Sequence, residues 1–311
     1  MKQKMINRVY IEGTLYQHNL EKRVTGENSK KPGTEYIRGT IDIATNDALT
    51  NIVQVHYTYV TKKTSKGGDN ATYATLNDIL EGKLKTYMDG GDVKVRADSA
   101  LALNEFYTDR QKTPSGEPTL VSQRINQGGF IHVLNKPLKE KERERALFEA
   151  DMVINRVLDV EEDPDKNQPR KLILKGVIFD FKNAILPMEF TVLNEGGIDY
   201  FLSQDISPKN LMFTKITGTE VSETVVRKWT EESAWGEDLV HETTSTNRAF
   251  IVTQSALSPY EVGEGEGEEA DITKAELTEK MQEREMMLAE LKSRVVAPTP
   301  KTNITNKEFD F

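Results

Sequence analysis

A single strand of nucleic acid is gripped by cations that track its phosphates and by flat rings on which its bases stack. The first third of this chain carries both kinds of side chain. Read with a period of two, Arg8, Tyr10, Tyr16, Tyr36, Arg38, His56, Lys94 and Arg96 fall on one outward face. Phe106, Tyr107, Arg110 and Lys112 extend that face along a later loop. Two other loops add Lys22, Arg23, Lys30 and Lys31, then Lys62, Lys63 and Lys66. Tyr57 and Tyr59 fall inward by the same alternation and are left out of the set.

Other chemistries find little support in the sequence. The 4 histidines, His18, His56, His132 and His241, form no i,i+4 pair, and with 0 cysteines there is no thiolate metal site. No metal and no cofactor is expected. The run Met88 to Asp92 lacks the ligand spacing of a calcium loop, and Gly263 to Gly267 follows no strand and is flanked by carboxylates. Neither a phosphate-cradling loop nor a nucleophile elbow occurs, so the chain reads as a non-enzyme.

Charge narrows the field further. The 311 residues carry a net charge of −9, unevenly spread. Residues 1–138 hold 19 Lys and Arg against 15 Asp and Glu, for a net of +4. Residues 139–260 come to −7 and residues 261–311 to −6. Only the first segment suits a polyanion. No apolar run reaches the roughly 18 residues that span a bilayer, and the opening residues lack the apolar stretch of a signal peptide. These point to a cytoplasmic protein with no membrane partner.

The elements that must position these side chains follow the order β-β-β-α-β-β. Strands are expected at Arg8–Tyr16, Tyr36–Ala44 and Ile52–Val60, then at Asp92 to Tyr107 and Leu120–Ile125 with a closing piece Phe130–Leu134. Between the third and fourth, Leu76, Ile79, Leu80, Leu84, Tyr87 and Met88 share a helical face that Gly90-Gly91 should stop. That order is the plan of an OB-fold. Residues 148–260 repeat it, and Ile154-Asn155-Arg156-Val157 echoes Ile6-Asn7-Arg8-Val9.

The expected fold is therefore all-β dominated with minor α. It has two tandem five-stranded OB-fold Greek-key barrels and a C-terminal tail helix. The divisions are 1–137 (nucleic-acid binding), a charged linker 138–147, an acidic architectural or interaction domain 148–260, and an acidic linker 261–270. An amphipathic helix at 271–296 and a disordered tail 297–311 complete the chain. Thr273 and Glu276 make a capping box for that helix, and Arg284 interrupts its apolar stripe of Leu277, Met281, Leu288, Leu291 and Val295.

Three stretches resemble the bacterial-type single-stranded DNA-binding protein family: Asn7 to Leu15, Ile41 to Thr45, and Tyr87 to Val95. The resemblance covers about residues 5–134, and Glu308, Phe309, Asp310 and Phe311 look like that family's aromatic-acidic tip. It implies single-stranded DNA as ligand, with RNA as an alternative, and roles in replication, recombination and repair. It also implies partner proteins recruited through the tip, and a dimer if four such units are needed. There are departures: the first domain has no Trp, and the tip lacks a Pro before its final Phe. They suggest a divergent, phage-encoded member acting in the host cytoplasm. The competing expectation is an OB-fold protein-interaction or virion structural protein without nucleic-acid binding. In the second half, Arg227, Lys228 and Trp229 could extend a binding track, while Trp229 and Trp235 are weighed slightly towards core packing.

Overall fold

A computed structural model describes residues 5–163, 169–231, 239–265 and 268–296; side chains are described except at 111, 223–231, 239–247 and 296. Strand dominates, in one large mixed sheet followed by a C-terminal helix. The strands of the first half are β1 (Asn7–Val24), β2 (Glu35–Ala44), β3 (Ile52–Thr61), β4 (Lys94–Lys112) and β5 (Pro118–Val133). They pair in the circuit β1-β2-β3-β5-β4 and back to β1, antiparallel throughout except β3 with β5.

The second half repeats the circuit. Its strands are β6 (Ala146–Val160), β7 (Lys171–Phe179), β8 (Ile185–Val192), β9 (Met212–Glu231) and β10 (Leu239–Ser255). They close as β6-β7-β8-β10-β9, with β8 and β10 parallel. The shared tetrapeptide is not what marks the repeat. The first strand of each ring bulges, between Leu15 and Gln17 in β1 and between Ile154 and Arg156 in β6. Ile154 therefore matches Leu15 and not Ile6.

Helix α1 (Ala71–Leu80) is capped by Asn70, whose side chain accepts from the Thr72 amide, and it buries Leu76 and Ile79. It stops earlier than the sequence suggests. Gly82 turns left-handed at φ 71° and bonds back to the Ile79 carbonyl. Gly90 closes only a separate 3-10 turn, Tyr87–Asp89. Helix α2 (Glu195–Leu202) takes the matching place in the second half and is capped by Asn194.

The halves are joined, not strung. β1 and β6 pair antiparallel from Asn7↔Ala150 to Ile11↔Ala146, and one apolar cluster runs from Val9 and Ile11 through Phe148 to Phe250 and Val252. Asn7 ties the junction by donating to the carbonyls of Leu101 and Phe179 while accepting from the Leu101 amide. The charged segment 138–147 is not a free linker. Arg145 is buried against the Lys139 carbonyl and the Asp47 carboxylate, and the Lys139 amide donates to Glu12.

The acidic stretch after Tyr260 is also folded in part. β11 (Val262–Gly263) pairs with β12 (Ile272–Thr273), and Ile272 is fully buried in a small cluster with Phe179 and Phe213. Helix α3 (Lys274–Val296) then begins at the expected capping box, with Thr273 and Glu276 exchanging amide bonds. Arg284 does not break its packing face. It forms a buried ion pair with Glu105 at 2.5 Å, and Lys292 pairs with Glu117.

Candidate nucleic-acid interface

The β1–β2 hairpin loop and the loop after β3 stand side by side, because β2 pairs with both strands. Between them lies a cleft of about 790 Å³ lined by Lys30, Lys31, Tyr59, Lys62, Lys63 and Glu35, among others. Tyr59 forms part of one wall and packs on Tyr36, with ring centroids 4.7 Å apart. Tyr59 was expected inward, yet it is half exposed. The cause is a bulge: the β2–β3 register shifts between Ile37 and Gly39, so Thr58 and Tyr59 are both exposed. Tyr57 does stay inside, and burial raises its phenol.

Ion pairing separates the expected cations into two groups. Lys22 pairs with Glu81, Arg23 and Arg38 with Glu21, Lys63 with Asp69, Lys94 with Asp92, and Arg96 with Asp98. A paired cation has already met part of its electrostatic demand and offers less to a phosphate. Among the described residues Arg8, Lys30, Lys31, Lys62, Lys66, Arg110 and Lys112 have no carboxylate at ion-pair distance. Lys30, Lys31 and Lys62 converge on the cleft, and Lys66 lies in the same loop as Lys62.

The single outward face expected from alternation is split by ring closure. Arg8 and Tyr10 lie where β1 meets β4 and β6, and the Arg96 guanidinium covers Tyr10 at 5.1 Å. Lys94, on the same β1–β4 wall, donates to Thr14. Tyr16 stacks on Tyr87 at 5.8 Å, so one face of each ring is occupied. Arg38 and His56 share a groove on the outer side of β2 and β3 with Thr58 and Ile125. Burial and then the charge of Arg248 hold the His56 imidazole below its ordinary value, against the pull of Asp42. Phe106, Tyr107, Arg110 and Lys112 ride on an arm, since β4 and β5 continue as a two-stranded ribbon beyond β4's pairing with β1.

Two cations were missed. Arg124 on β5 and Arg248 on β10 are exposed at the junction of the rings, with no carboxylate at ion-pair distance among the described residues. Arg124 faces outward on its strand and was legible by alternation, whereas nothing in the sequence brings Arg248 beside it. Arg227, Lys228 and Trp229 lie in β9 where side chains are not described, and Trp235 and the tip Glu308 to Phe311 fall outside the described residues.

The YorF family profile matches residues 5–293. The chain belongs to the YorF family. No curated protein matches it. Seven solved chains match. One is a deletion mutant of the single-stranded DNA binding protein from Thermus aquaticus, 11% identical, covering 85% of this chain and 99% of that one at a TM-score of 0.46. A likeness that loose carries no weight for fold or function, so what this YorF member binds must be judged on its own side chains.

Proposed function

We propose that this YorF-family chain is a non-catalytic, single-stranded DNA-binding protein built on two OB folds, with the first ring as its main binding surface. The supporting topology is the five-strand circuit with a helix between the third and fourth strands, present in each half. The observation that carries the function is the cleft in which unpaired Lys30, Lys31 and Lys62 flank Tyr59, itself packed on Tyr36. Lysines there meet phosphates without displacing a carboxylate, and Tyr59 offers a ring to a base. The acidic second half would serve mainly as an architectural or protein-interaction domain, and the segment Glu308 to Phe311 would recruit replication and recombination proteins. A cytoplasmic dimer fits this reading.

Titration of the full chain with fluorescent oligo-dT tests it. Log K should fall with log salt at about −0.7 per neutralised phosphate. Changing Lys30→Gln, Lys31→Gln and Lys62→Gln together should flatten that slope by about 2. No binding at low salt, or equal affinity for duplex, would overturn the proposal and favour a protein-interaction or virion structural role.

A further inference from the structure

The junction of the rings holds a second recess of about 420 Å³, a volume within the roughly 300–1,000 Å³ range of small-ligand sites. Its walls come from β3, β5, β9 and β10, so it exists only because the halves dock. Four features of it point to a ligand. Arg124 and Arg248 line it without carboxylate partners at ion-pair distance among the described residues. The Arg124 guanidinium lies 5.9 Å from the Phe250 ring centre and donates to the Glu189 carbonyl, so it is positioned from both sides. Glu220, the one acid in the lining, is fully buried. Burial pushes its carboxyl up to about 7, against the Asn126 hydrogen bond and the charges of Arg248 and Arg124. Near neutral pH it is therefore partly uncharged, and the recess stays net positive. Finally, Asn126 is 2% exposed; its amide nitrogen is satisfied by Gln54 and Glu220, but its side-chain oxygen has no partner.

The recess is also continuous with the surface already described. It shares His56 and Ile125 with the groove over Arg38 and Thr58. Thr58 adjoins Tyr59 of the lysine cleft. From Tyr59 to Gln54 is five residues of β3, about 17 Å of strand. A polyanion leaving the cleft along β3 reaches the two arginines directly.

We propose that this recess binds one nucleotide of the single strand, the base stacked on the Arg124 guanidinium and the phosphate against Arg248, so that the strand crosses from the first ring to the second. This rests on the reading of the lysine cleft above. Arginine is suited to both roles because its planar cation stacks and also forks onto phosphate.

The test uses the full chain with fluorescent oligo-dT of about four and about sixteen nucleotides. Arg124→Gln and Arg248→Gln should each weaken the longer probe by roughly ten-fold and leave the shorter one unchanged. Arg248→Gln should also flatten the salt slope by about 0.7, and Arg248→Lys should restore it. Both arginines are exposed, so the fold should tolerate these changes. Wild-type affinity of both variants for the longer probe would overturn the seam site while leaving the cleft intact. Failure of the wild type to bind either probe would instead overturn the cleft reading and the seam site with it.

Discussion

At the residue scale, what matters is whether a side chain is already occupied. Tyr59 packs on Tyr36 yet keeps half its surface exposed, whereas Tyr10, covered by Arg96, and Tyr16, stacked on Tyr87, are less exposed. Tyr59→Ala should therefore cost about 1–3 kcal/mol of oligo-dT binding. Tyr16→Ala should cost much less, and equal losses in a fluorescence titration would refute the ranking. Glu220 supplies a pH prediction. Its folded value of about 7 lies above the ordinary 4.5, so the native state holds a proton that the unfolded chain releases between those values. The stability this gives is fully present below pH 4.5, fades as pH rises through 7, and amounts to roughly 3 kcal/mol. Urea melts across that window should show the decline in wild type and not in Glu220→Gln. Alternation along β3 placed Tyr57 correctly but not Tyr59, because a bulge depends on partner register and one strand's sequence does not record its partner.

At the element scale, α3 is a brace. Its Arg284 meets Glu105 with side chains only 11% and 6% exposed, and Lys292 reaches Glu117 near the end of the β4–β5 arm. Arg284→Met should destabilise the chain by about 3 kcal/mol, because Glu105 is left buried with only Ser122 to satisfy it. Pairing that change with Glu105→Leu should recover most of the loss, and a double-mutant cycle by urea denaturation reads the coupling. The periodicity made the helix legible, along with its capping box. An arginine in an apolar stripe looks like a fault until the facing carboxylate is known. In β2, Gly39 sits at φ 128°, and a β-carbon there would lie 2.0 Å from the Asn19 carbonyl oxygen. Gly39→Ala should cost about 3 kcal/mol or more by the same assay.

At the scale of the whole molecule, the two rings share one apolar cluster and a five-residue strand pairing, with Asn7, Asn51 and Asn126 bonding across the junction. Two rings with separate cores could melt separately. These should unfold together, giving a single calorimetric transition whose enthalpy equals the van't Hoff value. Two resolved transitions would show that the junction is weaker than its contacts imply. A common core also means that truncating the chain between the rings would expose apolar surface, so binding is better dissected by point changes in the full chain.

The sequence by itself determined the strand order, the two helices at matching places in each half, the capped helix at the end, and the confinement of positive charge to the first third. These are local properties: period, capping residues and composition act over a few residues, and the chain carries them wherever it goes. Only the tertiary structure decided which cations are free. Whether Lys63 or Lys62 meets Asp69 depends on how their loop closes, whether Tyr59 faces out depends on the β2–β3 register, and Arg124 and Arg248 line one recess only because strands more than 100 residues apart dock. An electrostatic field falls off with distance in space, not along the chain, and so the candidate binding surface exists only where the rings are closed and joined.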